Sequence, residues 1–272
     1  LVASFGHNAR KYRREATNRL RATVAEVYSA PRVTAMAKRK AHLGIIPGVA
    51  LDLTGSDEEG KPWDFDPAQR AKAEKMIDDQ EPVLLIGTPM CTAFSNIQNL
   101  NKGRRDPEVV RGEYAKACVH LRWCCHLYRK QIARKAYFLK EHPAGATAWK
   151  EAEVVGLLQQ TGVRRVVADQ CEFGQQTDSE EPLKKPTGFM SNSPEILHAL
   201  SRKCEGLNGE CSRPAGGKHW ICSGSICKDM AKYPRELCRA VPRGPTAQLR
   251  ADKRLTAGCH GLPAPDADNA RA

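Results

Sequence analysis

Aromatic residues make up only 6% of this 272-residue chain, too few for rows of stacking rings to be the main grip on a polymer of bases. No apolar run approaches the ~20 residues of a membrane-spanning helix, and no secretory leader opens the chain. The protein is therefore expected in the nucleus or cytoplasm, neither secreted nor embedded in a membrane. Acidic residues are short relative to basic ones, 31 against 43, which leaves a net charge of +12. That balance argues for a polyanionic partner, nucleic acid first among them. Internal repeats are missing as well. Methionine is missing from position 1, where Leu stands, and the chain is expected to be a piece of a longer polypeptide.

Cysteine, by contrast, is plentiful: eleven residues. Without a leader they read as thiols or metal ligands rather than as a disulfide framework. The cysteines and histidines at 118, 120, 124, 125 and 126 fall in a helical pattern over 108–136. There the cysteines sit on the apolar stripe and the histidines off it, so core packing is expected and not a metal site.

Short apolar runs alternate with helical patterns from residue 23 to residue 170. Strands are expected at 23–28, 49–53, 81–86, 136–140 and 163–168. Helices are expected at 33–42, 67–77, 108–136, 150–160 and 194–201, with a last short one at 234–241. This alternation implies an α/β protein: a Rossmann-like, doubly wound, mostly parallel sheet with a small Cys/Gly-rich C-terminal flap. The expected organisation is a basic arm (1–21), the α/β domain (22–201), the flap and closing helix (202–241) and a disordered tail (242–272). Residues 174–194 read as loop.

In such sheets ligands bind beyond the carboxyl ends of the strands. The residues expected there are Tyr28, Ser29, Asp52, Pro89, Cys91, Glu141 and Gln170. A thiol and a carboxyl on one rim suit covalent catalysis with an acid partner. The basic loop carrying Lys102, Arg104 and Arg105 suits phosphate contacts, or else is simply a solvated face.

Several ordered motifs add a resemblance. Pro89-Met90-Cys91-Thr92-Ala93-Phe94-Ser95, Glu141-His142-Pro143, Asp169-Gln170-Cys171-Glu172-Phe173-Gly174, Lys185-Pro186-Thr187, Asn192-Ser193-Pro194 and Tyr233-Pro234-Arg235-Glu236-Leu237-Cys238 follow one another over about residues 23–241. Together the set resembles the S-adenosylmethionine-dependent cytosine-C5 DNA methyltransferases, especially their compact phage forms. The resemblance implies Cys91 as the nucleophile that adds to cytosine C6 and Glu141 as the group that holds the N3 side of the ring. It implies S-adenosylmethionine at Tyr28, Ser29, Asp52, Asp64 and Pro89, and nucleic acid, as DNA, at Lys102, Arg104, Arg105 and Gln170. Several features depart from the pattern. The turn after the first strand, residues 28–32, has no glycine, Met90 replaces a proline, His142 replaces an asparagine, Gln170 is followed by none of the arginines the family carries there, and residues 174–194 are too short for the target-recognition domain of larger members. The chain is then either a minimal enzyme or a relic that keeps the fold and binds nucleic acid without methyl transfer. A thiol hydrolase built on Cys91 and His142 is a weaker third reading.

Cys204, Cys211, His219 and Cys222 form a second candidate site, three thiols and an imidazole that suit tetrahedral zinc, against unligated thiols in a small flap. Finally, the stretch from Glu26-Val27-Tyr28-Ser29 to Lys253-Arg254-Leu255 resembles a segment within long retroelement polyproteins of marine protists. That context implies other parts of a polyprotein as partners.

Overall fold

In the computed structural model, which describes residues 22–39, 45–96, 102–220 and 233–254, six strands pair into one sheet. They are β1 (Ala22–Val27), β2 (Ile45–Leu51), β3 (Leu84–Gly87), β4 (Tyr137–Pro143), β5 (Arg164–Asp169) and β6 (Pro186–Ser191), in the spatial order β2-β1-β3-β4-β6-β5. The pairings β1–β2, β1–β3 and β3–β4 are parallel, whereas β6 runs antiparallel to both β4 and β5. The basic arm, residues 40–44, Cys222 and the tail beyond residue 254 lie outside the described residues.

Alternate strand residues enter two separate cores. Ala25, Leu85 and Phe138 join one cluster with α2 (Pro67–Gln80), α3 (Pro107–Ala133) and α4 (Ala152–Leu158). Val24, Leu84, Ile86 and Leu139 join the other with α1 (Val33–Arg39), α5 (Pro194–Ala199) and α6 (Arg235–Ala251). A period of two therefore sends successive side chains to opposite faces, each covered by helices. This explains the unbroken apolar run of β3, all four of whose residues are buried. The helix starts follow from local chemistry: the Asp66 and Asp106 side chains accept from the amides of Gln69 and Glu108, each with proline next in the chain.

Two expectations are corrected. Residues 186–191, read as loop, form β6. Its run is short and contains Gly188, which looks like a turn signal, yet only glycine fits there, because a Cβ would come 2.6 Å from Trp149 Cζ2. The closing helix does not stop at residue 241. It continues through Pro242 and Pro245 to Ala251, because Leu237, Val241 and Leu249 pack into the second core and Gly244 presses against Ile196 of α5. Packing here outweighs proline's local preference.

Candidate functional site

From β1 the chain runs to β2 on one side of the sheet and later returns to β3 on the other. A crevice opens where the order reverses, beyond the carboxyl ends of β1 and β3. It holds a cleft of about 550 Å³, lined by Tyr28, Ser29 and Arg32 after β1, Asp52 after β2, Pro89, Met90 and Cys91 after β3, Glu141 and Pro143 of β4, Lys184, Lys185 and Pro186 at the start of β6, and Tyr233. This size suits a small-molecule or single-base site. Cys91 and Glu141, 50 positions apart in the chain, thus share one cavity.

The turn that presents Cys91 is anchored from below. Tyr128 of α3, fully buried, donates its hydroxyl to the Gly87 carbonyl at 2.9 Å. Any side chain at Gly87 would collide with that hydroxyl. Thr88 donates from its amide to Val27 O at 3.2 Å and from its hydroxyl to Tyr28 O at 2.7 Å, locking the β1 and β3 loops together. After Cys91 a 3₁₀ turn (Thr92–Phe94) buries Phe94 completely. Cys91 itself is exposed to the cleft. Its thiol is nevertheless pushed above the ordinary value, first by the desolvating walls and second by the Glu141 charge, with Lys185 and Lys140 opposing. At rest the group is a thiol, not a thiolate.

Glu141 is 8% exposed, and its Oε1 is buried without a hydrogen-bond partner among the described residues. An orphaned carboxylate oxygen in a ligand-sized cleft marks a place for a donor from a ligand. The flanking Lys140 and His142 belong to the opposite face of β4. Both are fully buried, and Lys140 Nζ lies 3.1 Å from His142 Nδ1. Desolvation drives both toward their neutral forms. With His142 under the strand, against Phe94 and Trp149, the Cys91–His142 hydrolase pairing has no geometry to support it.

The glycine-free turn after β1 has its own scaffold, which the sequence did not announce. Glu26, fully buried on β1, accepts from Ser29 Oγ at 2.9 Å, from the amides of Arg32 and Thr34 at 3.1 and 2.7 Å, and from Thr34 Oγ1 at 2.7 Å. Tyr28 adopts φ 56°, the left-handed conformation that glycine usually supplies. Its ring turns into the core against Phe65 and Trp123, and its hydroxyl meets His120 Nδ1 at 2.6 Å. His120 is therefore inside, not off the apolar stripe as expected. Cys118, Cys124 and Cys125 are core residues, as expected.

The other expected residues separate. Asp52 lines the cleft and accepts from Thr54. Asp64 is exposed and is not among the residues lining the cleft. Arg105 pairs with Glu113 at 2.6 Å and Arg104 is exposed, neither of them in the cleft lining. The Lys102 side chain lies outside what is described. Gln170 is fully buried, with Nε2 bonded to Thr187 Oγ1 at 2.8 Å. It is not presented to a polymer; its place is inside the β5–β6 junction.

A second centre lies past the end of β5. Cys171, Cys204, Cys211 and His219 converge, with all ligand atoms within 4.8 Å of one another. Such a Cys3His cluster can hold a metal ion. Three of its members are those expected from the sequence. The fourth, Cys171, comes from the 3₁₀ turn Gln170–Phe173 and was hidden by its distance along the chain. Cys222 lies outside the described residues.

The described residues thus form an α/β protein with a cleft that exposes a thiol beside a carboxyl and with a Cys3His cluster that could hold a metal ion. No protein-family model matches the sequence, and no curated protein matches it.

Proposed function

We propose that the chain is a cytosine-C5 methyltransferase-like protein of Rossmann-like, doubly wound architecture that acts on nucleic acid. The observation that carries this reading is the shared cleft at the switch point, with Cys91 exposed in it and the orphaned Glu141 Oε1 facing no partner. Asp52 and the turn after β1 line the same cleft, and Tyr28 gives that turn a glycine-like backbone, so the residues present suit S-adenosylmethionine at those points. Asp64 does not contribute to that fit. When bound, the cofactor supplies an electrophilic methyl group.

The chain's own residues do the rest. A cytosine extruded from the stack enters the cleft, and Glu141 bridges a proton to its N3. The proton that Glu141 shares with N3 is the one the Cys91 thiol gives up, so its transfer cancels the Glu141 charge that raises the thiol and leaves the thiolate. The thiolate adds to C6, which shifts the C5–C6 π electrons onto C5, and C5 could then accept the methyl group that a bound cofactor would supply. A base then removes the C5 proton and the Cys91–C6 bond breaks, which returns the sulfur. Arg32, Lys184 and Lys185 give the cleft mouth a positive field for phosphate.

The relic reading, nucleic-acid binding without catalysis, is favoured by the net charge of +12 and the outward Asp64. Incubation with labelled S-adenosylmethionine and DNA containing 5-fluorocytosine separates the two. A covalent adduct that is lost in Cys91→Ala supports the enzyme. DNA binding with no adduct and no cofactor uptake supports the relic. For the Cys3His cluster, three soft thiolates and one imidazole favour zinc.

A further inference from the structure

We infer that Cys171, Cys204, Cys211 and His219 close around a single zinc ion that clasps segment 202–220 to the sheet and so holds the Lys184-Lys185-Pro186 wall of the cleft; the clasp rests on the zinc reading above. Zinc–sulfur bonds of about 2.3 Å and zinc–nitrogen bonds of about 2.0–2.1 Å, set at tetrahedral angles, put neighbouring sulfurs ~3.8 Å apart and sulfur ~3.5 Å from nitrogen. Cys204 Sγ lies 3.8 Å from Cys211 Sγ and 3.5 Å from His219 Nε2. These two separations match edges of a zinc tetrahedron, and Cys171 completes a set whose ligand atoms all lie within 4.8 Å of one another. Four protein ligands leave no open position, so the centre is structural and not a site of hydrolysis. Ser212 supports it, donating to Cys204 Sγ from its amide and its hydroxyl, each at 3.5 Å.

The segment needs such a centre. Its buried cluster consists of Cys171, Cys204 and Cys211 alone, while Leu207 and Trp220 are 78% and 47% exposed. Among the described residues the segment has no aliphatic core of its own, so its order rests on ligation and on polar ties. From the centre the path to the cleft is short. Trp220, next to His219, donates its amide to Pro182 O at 2.9 Å, and Arg213 donates to Gln176 Oε1 at 2.8 Å and to Glu180 O at 2.5 Å. The chain then passes from Leu183, paired with Trp220, straight into Lys184, Lys185 and Pro186 of the cleft wall.

The test uses the full chain. Metal analysis is expected to find one zinc per molecule, lowered in Cys171→Ser and in His219→Ala and retained in Cys222→Ser. Hydrogen exchange followed by mass spectrometry should show residues 175–187 exchanging at least about tenfold faster after chelation or in His219→Ala, with β3 and α3 unchanged. His219→Ala keeps the buried thiols, so it reports on the metal even where Cys171→Ser fails to fold. A chain purified without zinc and unable to take it up overturns both the zinc reading and the clasp. Zinc present, with residues 175–187 exchanging equally fast with and without it, overturns the clasp and leaves the zinc reading standing. Full zinc content in Cys171→Ser, with loss in Cys222→Ser, overturns the ligand assignment.

Discussion

Replacing Glu26 tests whether one buried carboxylate shapes the turn that borders the cleft. In Glu26→Ala four donors, Ser29 Oγ, the amides of Arg32 and Thr34 and Thr34 Oγ1, lose their common acceptor. Each hydrogen bond to a charged acceptor is worth about 1.5–3 kcal/mol, but the four are not additive and the donors partly re-solvate. Breaking a buried charged network by removing one member costs about 3–5 kcal/mol, and this is the loss expected. Glu26→Gln keeps an oxygen at the Oε1 position, which serves three of the four donors. Only Ser29 must reverse its hydroxyl, so the expected loss is about 1–1.5 kcal/mol. Equilibrium unfolding in urea measures both through the midpoint at constant slope. If Glu26→Gln is as destabilising as Glu26→Ala, or if Glu26→Ala costs less than about 1 kcal/mol, the carboxylate is not the organiser of the turn.

Cys91 alkylation, followed by mass spectrometry of its peptide, should have its midpoint above pH 9.0 because burial and Glu141 raise the thiol. Glu141→Gln should speed it at pH 8 and Lys185→Gln should slow it, and the opposite order would remove the charge coupling from the mechanism. Lys140→Met should stabilise the protein at neutral pH by about 1–3 kcal/mol, measured by chemical denaturation, because it replaces a buried amine with an apolar chain. The sign with pH follows from its lowered value: the unfolded chain keeps a proton that the folded chain gives up. Wild type therefore gains stability as pH rises toward 10.5, and Lys140→Met should lack that rise. By the same logic His142, held neutral by burial, withdraws stability as pH falls below 6.5, by up to about 1.4 kcal/mol per pH unit. His142→Phe should flatten that slope in unfolding titrations. Tyr128→Phe leaves the Gly87 carbonyl without its side-chain donor and should cost about 1–2 kcal/mol in thermal or urea unfolding.

Much of the architecture was legible in the chain. Where apolar runs are buried on both faces, as at β3, or where an aspartate precedes proline, as at α2 and α3, local sequence and local structure agree because a near neighbour satisfies each requirement. The placement of Cys91 and Asp52 past strand ends was legible for the same reason: the ends of strands are local, and the parallel connection makes them converge; Glu141, expected just past a strand ending at residue 140, lies inside β4 near its end. Other features were decided only by distant partners. β6 exists because β4 and β5 flank it and Trp149 demands Gly188. α6 runs through two prolines because Ile196 and the second core reward the continuation. Glu26 is given its role only by the turn's four donors that close on it, and Lys140 and His142 are fully buried only because β4 is covered on both faces.

By itself, then, the sequence determined the alternation of elements, the positive charge and the rim on which a thiol and a carboxyl sit, because each is a property of periodicity, composition or chain order. Only the tertiary structure decided that Cys91 and Glu141 share one cleft, that Gln170 is inside, and that Cys171 joins Cys204, Cys211 and His219. Those juxtapositions depend on how the sheet brings together residues tens of positions apart, a relation that no local pattern encodes.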